Sequence, residues 1–491
     1  LSFLLRYWKR AKEPKALEMV EKTLTEIAKG GIYDHIGAGF HRYSTDPKWF
    51  LPHFEKMLYD QAIISRAYLE AYQATGKKEY ARTVSEIFEY VLRDMMHPEG
   101  GFYSAEDADS SSPENPKEKR EGAFYAWSEK EILKILSKIE AEVFDYYFGV
   151  EAQGNVSADS SGDFKGKNIL HIAHTLEETA QAFGKSSQEI EKIISGAKIK
   201  LLLSRSQRPR PHLDDKILLD WNGLMISSLA FASRVLNEPR YCKAAEKSAQ
   251  FILKNLVRKD GRLLHRFREA EAAIEGMIND YAFFICGLID LYEATFNPEY
   301  LLQAKNLTRQ MLKLFWDETN GGFFFTGEDA EQLVVRQKEF YDGAIPSGNS
   351  IAALDLIRLA RLTMDKEFEK KADTLLEVFS RQIVQAPFGY CQMLIALDFV
   401  LGPAKEIVIA GSRVSETIAL MISSVYERFI PNKVVAFRPA DGKQLETLTG
   451  LMPFIKELTA LEGRITVYVC ENYICKLPAV NIEKVKEILA Q

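Results

Sequence analysis

A chain of 491 residues, 46% hydrophobic and 27% charged, is globular in composition and long enough to bury a large core, which excludes disordered and fibrous classes. Its formal charge of −6 argues against a broad nucleic-acid-binding face, because the nearest basic stretch, Arg205 to Arg210, is short and broken by proline. No apolar run reaches the ~18 residues of a membrane span, no signal segment opens the chain, and five scattered cysteines outline no disulfide framework, so a reducing cytoplasm is expected.

The opening segment reads as a helical pair ending at Gly30-Gly31-Ile32-Tyr33, and its start at Leu1, without an initiator methionine, reads as cut from something longer. Met57 to Tyr72 then carries an apolar stripe, Thr75-Gly76 breaks it, and Tyr80, Val84, Ile87, Phe88, Val91, Leu92 and Met95 line one face of a second helix. This hairpin recurs. The junction before Tyr80 is echoed before Tyr241, Tyr300 and Phe368, and a glycine stop follows each aromatic after about 21 residues, at Gly100, Gly261, Gly321 and Gly389. With a divergent pair at 172–204 the count is six, which predicts a mainly α closed ring over residues 1–402 rather than an open superhelix.

From Lys405 the pattern changes. Glu406 to Gly411 is a compact strand, Glu416 to Phe429 a helix, Val434 to Phe437 and Arg464 to Val469 further strands, and Ile482 to Leu489 a closing helix, a small α/β unit over 403–491. Gly411-Ser412 is one glycine short of a dinucleotide fingerprint, so no cofactor is expected. Cys470 and Cys475 are read as structurally buried rather than ligating or redox-active.

Alternating hairpins send the long glycine-bearing connections to one end of the ring, and six histidines, His35, His41, His53, His97, His212 and His265, fall in or beside them. The densest connection offers His53, Glu55 and Asp60 as acid–base candidates, with His41, Arg42, Tyr43, Asp46 and Trp49 to hold a sugar-like ring; capping of the following helix is the competing role. Glu106 and Asp107 are a second acidic pair, suited to glycosidic chemistry at the right separation, while Asp109 belongs with the solvated loop running through Pro116. Asp215, Lys216, Trp221 and Asn222 form a third group, where an Asp is equally an N-cap. Asp280 with Tyr281, and Asp342 with Ser347 and Asn349, occupy equivalent places at two more helix starts. No metal is expected, because no His-Glu-x-x-His or Cys-x-x-Cys spacing occurs.

Gly30 to His35, Pro52 to Asp60, Asp215-Lys216 through Trp221-Asn222-Gly223, Pro346 to Asn349, and Val469 to Asn472 with Cys475 together resemble the spermatogenesis-associated protein 20-like, or YyaL-like, thioredoxin-domain-containing family, nearly end to end. That resemblance implies an (α/α)6 toroid like those of six-hairpin glycosidases and N-acylglucosamine 2-epimerases, preceded in the family by a thioredoxin-like domain that this sequence lacks. The leading expectation is a carbohydrate-active protein, with a sugar isomerase or epimerase using histidines and a glycoside hydrolase using carboxylates both open. The rival is a non-catalytic ligand- or protein-binding module partnering the absent thioredoxin-like domain. Neither nucleic acid nor membrane is an expected partner.

Overall fold

The computed structural model describes the whole chain except residues 112–116, 158–161, 332–333, 413–415 and 491. The loop running through Pro116 therefore lies partly outside the described residues. In chain order the first helices are α1 (Ser2–Ala11), α2 (Pro14–Lys29), α3 (Leu58–Thr75) and α4 (Lys78–Tyr90). Four further helices follow as α5 (Glu129–Ile135), α6 (Lys138–Phe148), α7 (Leu176–Phe183) and α8 (Ser187–Arg205). The pattern then resumes with α9 (Leu219–Val235), α10 (Pro239–Asn255), α11 (Ile278–Thr295), α12 (Pro298–Phe315), α13 (Gly348–Thr363), α14 (Lys366–Gln385) and α15 (Cys391–Leu401).

Two kinds of helix alternate, and their sequences say why. Helices α9, α11 and α13 are apolar or small on nearly every face and are buried almost all round, whereas α10, α12 and α14 keep one apolar stripe and a charged outer face. Joined by α1, α3 and α15, the former pack side by side in the order α1, α3, α9, α11, α13, α15, and α1 against α15 closes the ring; α2, α4, α10, α12 and α14 lie outside. Closure excludes the open superhelix. The tightest neighbours are α9 and α11, where a Cβ on Gly223 would stand 2.5 Å from the Phe283 carbonyl and one on Gly287 would stand 2.8 Å from the Gly223 oxygen. Only glycine permits that approach.

One member of the ring differs from the expectation. The divergent pair at 172–204, α7 and α8, does not enter it; with α5 and α6 these helices form an insert around its own core of Trp127, Ile132, Phe144, Phe148, Ile190 and Leu201. Helix α8 packs against α5, α6 and α7, and α15, between α13 and α1, takes the sixth inner place. The insert is tied to the ring by Asp34, whose carboxylate accepts both Arg205 nitrogens at 2.8 Å and the Lys56 ammonium at 2.7 Å, all three side chains buried.

Beyond α15 a four-stranded sheet runs 433–439, 405–411, 466–471, 474–475, the first pair parallel and the others antiparallel. It covers the end of the ring where the inner helices finish: Gln73 donates to the Tyr426 carbonyl, Gln444 to that of Phe296, and Arg361 pairs with Glu406. The cysteine reading is corrected here. Cys470 and Cys475 face each other across paired antiparallel strands and form a disulfide, and Cys475 is exposed rather than buried. Cys242, Cys286 and Cys391 are free. No helix among the described residues is long and apolar enough to cross a membrane.

Candidate acid–base site

The opposite end of the ring is built from the N-termini of the inner helices, whose first backbone N–H groups lack intrahelical partners and favour negative charge. A repeated device assembles this rim. In the first turn of α3, Gln61 donates to the Phe40 carbonyl and accepts its N–H, at 2.7 and 2.9 Å. Asn222 of α9 does the same to Phe102 and Asn349 of α13 to Phe323, at 2.7 to 2.9 Å. In α11 the Tyr281 hydroxyl accepts the Leu263 N–H. Each clamp pins the glycine-bearing connection beneath it, and the carboxylates Asp60, Asp220 and Asp280 stand one or two residues earlier on their helices.

Asp280 is completely buried. Its carboxylate accepts the Met277 N–H at 2.7 Å, the Asp220 N–H at 3.2 Å and the His265 imidazole at 2.9 Å. His265 lies on the strand Leu264–Arg268, half-buried. Burial alone would pull its pKa down, but the bond to Asp280 and the charges of Asp280 and Asp220 outweigh it and raise it to about 8. Burial, reinforced by the Asp280 charge and opposed by His265, pushes Asp220 up to about 7. Both shifts place a change of protonation near neutral pH within one cluster.

On the adjacent helix α3, burial pushes Asp60 up to about 8, with Arg42 opposing and Glu55 reinforcing, and one of its carboxyl oxygens is buried without a partner. Tyr59 and Trp221 meet edge to face, with centroids 4.8 Å apart, and bridge α3 to α9 between these acids. Asp220, His265 and Asp280 also offer ligand atoms within 4.8 Å of one another, so a cation can be held there. The Asp280 carboxylate already takes two amides and an imidazole, an arrangement better suited to sharing a proton.

No family model matches the sequence. Human spermatogenesis-associated protein 20 is 37% identical over 514 residues, covering all of this chain, and the mouse protein of the same name is 35% identical. A Caenorhabditis elegans relative, B0495.5, is 36% identical over 97% of the chain, which spans 67% of that protein. The chain belongs to the spermatogenesis-associated protein 20-like family. It spans 65% of the length of the mammalian members. Among solved structures, cellobiose 2-epimerase from Bacillus thermoamylovorans aligns over 97% of this chain and 98% of its own at 10% identity and TM-score 0.41. A sugar epimerase from a ruminal bacterium aligns over 74% and 86% at 12% identity and the same score.

The motifs that mark the family divide between site and scaffold. In the Pro52–Asp60 segment, His53 shares hydrogens with Glu121 at 2.7 Å, lies 3.3 Å from Glu55 and stacks on Tyr43, while Glu55 accepts Arg42 at 2.8 Å; these reach the rim beside Asp60. His41 is scaffold: buried, edge-on to Tyr125 and donating to the Phe54 carbonyl, it is driven down to about 3 by burial and stays neutral. Asp46 caps its own loop, accepting the N–H groups of Lys48 and Leu51, and half-buried Trp49 accepts the Ile32 N–H through its carbonyl.

Elsewhere the candidate residues are engaged by partners that define a structural part. Glu106 is buried between the Tyr90 hydroxyl and Arg210, both at 2.7 Å, and Asp107 accepts the Asp109 N–H. Asp215 pairs with Arg268, and Lys216 with Asp214. Asp342 caps two helices at once, accepting the N–H groups of Ser347 and Gln392, and Ser347 is the N-cap of α13. The amides of Asn222 and Asn349 and the hydroxyl of buried Tyr281 are committed to their clamps, which leaves them nothing to offer a ligand. His265 is one of the six histidines that the sequence places in the long connections, without a role of its own; Asp220 carries no signal beyond an acid within the first three residues of its helix, as in α3 and α11.

Proposed function

We propose that this chain carries out acid–base chemistry on a sugar at the rim of its helical ring, with glycoside hydrolysis the reaction its side chains suit best. Asp60 is a carboxylic acid that keeps its proton at neutral pH and can protonate a leaving oxygen. Asp220 and Asp280 on the neighbouring helices, with His265 on its strand, take the proton of the water that attacks the anomeric carbon as the leaving oxygen departs, and Tyr59 with Trp221 offers aromatic surface for a ring. What supports this reading is that Asp60, raised by burial, and the hydrogen-bonded Asp220–Asp280–His265 cluster stand at the starts of adjacent inner helices, at the end of the ring opposite the C-terminal sheet.

The test is turnover of a panel of chromogenic glycosides, with proton NMR in heavy water to catch epimerisation. Asp60→Asn and Asp280→Asn should each lower kcat by about 100-fold or more, the usual contribution of a general acid or base. Neither turnover nor saturable sugar binding by calorimetry would reject the proposal and leave a non-catalytic module partnering a thioredoxin-like domain. Exchange at a sugar carbon without bond cleavage would select the epimerase form.

A further inference from the structure

A small cavity is enclosed at the covered end of the ring, where the inner helices meet the C-terminal sheet. It holds about 50 Å³, several times the ~10–15 Å³ that a water molecule needs and room for one small anion. None of the acids of the rim site lines it. Its wall draws on both units: Arg6, Arg66 and Arg358 come from α1, α3 and α13, and Lys433 opens the strand 433–439.

Cations outnumber anions on this wall. Its three carboxylates are each taken by a guanidinium, Glu70 by Arg6 at 2.9 Å, Asp290 by Arg66 at 3.1 Å and Glu293 by Arg358 at 3.2 Å. Lys433 is the fourth cation, and among the described residues no carboxylate of the wall remains for it. Its ammonium is buried, makes no ion pair there, and donates to the Ile430 carbonyl at 3.0 Å with the Tyr426 ring centroid 4.9 Å away. Burial pulls Lys433 down to about 8, with Arg66 and Lys9 reinforcing and Glu293 and Glu70 opposing, so it stays charged at pH 7. Charges just beyond the wall do not restore the balance. Lys9 adds a cation, donating to the Phe429 carbonyl, while burial raises Glu293 and holds Asp355, about one turn before Arg358, protonated.

Hydrogen-bond donors are in surplus as well. The Arg6 Nε is buried without an acceptor, and Arg358 meets both of its acids through the single nitrogen Nη2. A buried surplus charge is costly, and a bound anion offsets that cost; guanidinium N–H groups together with an ammonium match the oxygens of a tetrahedral oxyanion.

We infer that this cavity binds one small oxyanion of the inorganic phosphate class between Arg6, Arg358 and Lys433, and that the anion ties the C-terminal sheet to the ring. The site is independent of the chemistry proposed at the rim.

Calorimetric titration of the full chain with inorganic phosphate at pH 7, chloride holding the ionic strength constant, tests this. The wild type should bind one phosphate per chain, and phosphate should raise Tm above its value in chloride of the same ionic strength. Lys433→Met should weaken phosphate binding by about tenfold or more and remove the rise in Tm. Absence of saturable phosphate binding in the wild type, equal stabilisation by chloride, or an affinity that survives Lys433→Met would each overturn the inference. Should Lys433→Met fail to fold, Lys433→Gln, which keeps a donor for the Ile430 carbonyl, carries the same comparison.

Discussion

The two ends of the helical ring hold buried charge in opposite ways. At the end covered by the C-terminal sheet, Arg6, Glu70, Arg66, Asp290, Arg358 and Glu293 form a continuous chain of ion pairs at 2.6 to 3.3 Å. Each acid of this network has a guanidinium; despite burial the Arg6 and Arg66 charges hold Glu70 down to about 2, whereas at Glu293 burial outweighs Arg358 and raises it. At the rim, Asp220 accepts the Trp221 N–H and Asp60 keeps one oxygen without a partner, and they sit near 7 and 8. Buried charge alone thus does not mark a reactive site; the rim differs in grouping raised carboxylates with a histidine, so that protonation changes there near neutral pH.

The largest effect that would break this comparison lies at the covered end. Asp290→Ala strands Arg66 and Arg358 in the interior and should destabilise the protein by about 3–5 kcal/mol in denaturant unfolding. A loss below about 1 kcal/mol would mean that the network is solvated and the contrast between the ends false.

A smaller effect sharpens the comparison at the rim. Asp220 is raised from 3.8 to about 7 and His265 from 6.5 to about 8, so both hold more proton folded than unfolded. Stability from the Asp220 shift is lost as pH rises from about 4 to 7, and that from His265 between about 6.5 and 8. Tm should therefore fall between pH 6 and 8.5, and less steeply in Asp280→Asn, which removes the partner responsible for the His265 shift. A flat profile in the wild type would show that neither group is perturbed.

The smallest effect falls between the two ends. Asp355 on α13 is completely buried with both oxygens unpartnered, and burial, with Asp290 reinforcing and Arg358 opposing, raises it well above its ordinary value. Asp355→Leu should gain about 1 kcal/mol in the same unfolding assay. A loss would reveal a partner for that carboxyl.

The ring was legible in the sequence because its hairpins repeat: the aromatic that opens each outer helix and the glycine that ends it recur at fixed spacing. The sixth member was not, because α15 is a short helix without an outer partner following it, while α7 and α8 carry the caps and stripes of any hairpin and nothing local marks them as an insert. At the site, the repeat points to Asp280 and the polar density of the Pro52–Asp60 segment to Asp60, but neither separates a carboxylate facing the rim from an amide clamping a loop. Asn222 and Asn349 sit at helix starts as promisingly as Asp220 does, and only the position of Phe102 and Phe323 beneath them reveals what they hold. Cys470 and Cys475 were misread because their bond depends on a hairpin whose turn, Asn472-Tyr473, takes positive φ at both residues without a glycine to announce it.

Central to this account is a proton shared at the rim by His265 and the carboxylates around it. Proton NMR titration of the His265 ring in the wild type and in Asp280→Asn tests that directly. The account predicts an apparent pKa of about 8 in the wild type, falling to 6.5 or lower once the carboxylate is removed. A wild-type value at or below 6.5, or one that the substitution leaves unmoved, would contradict it.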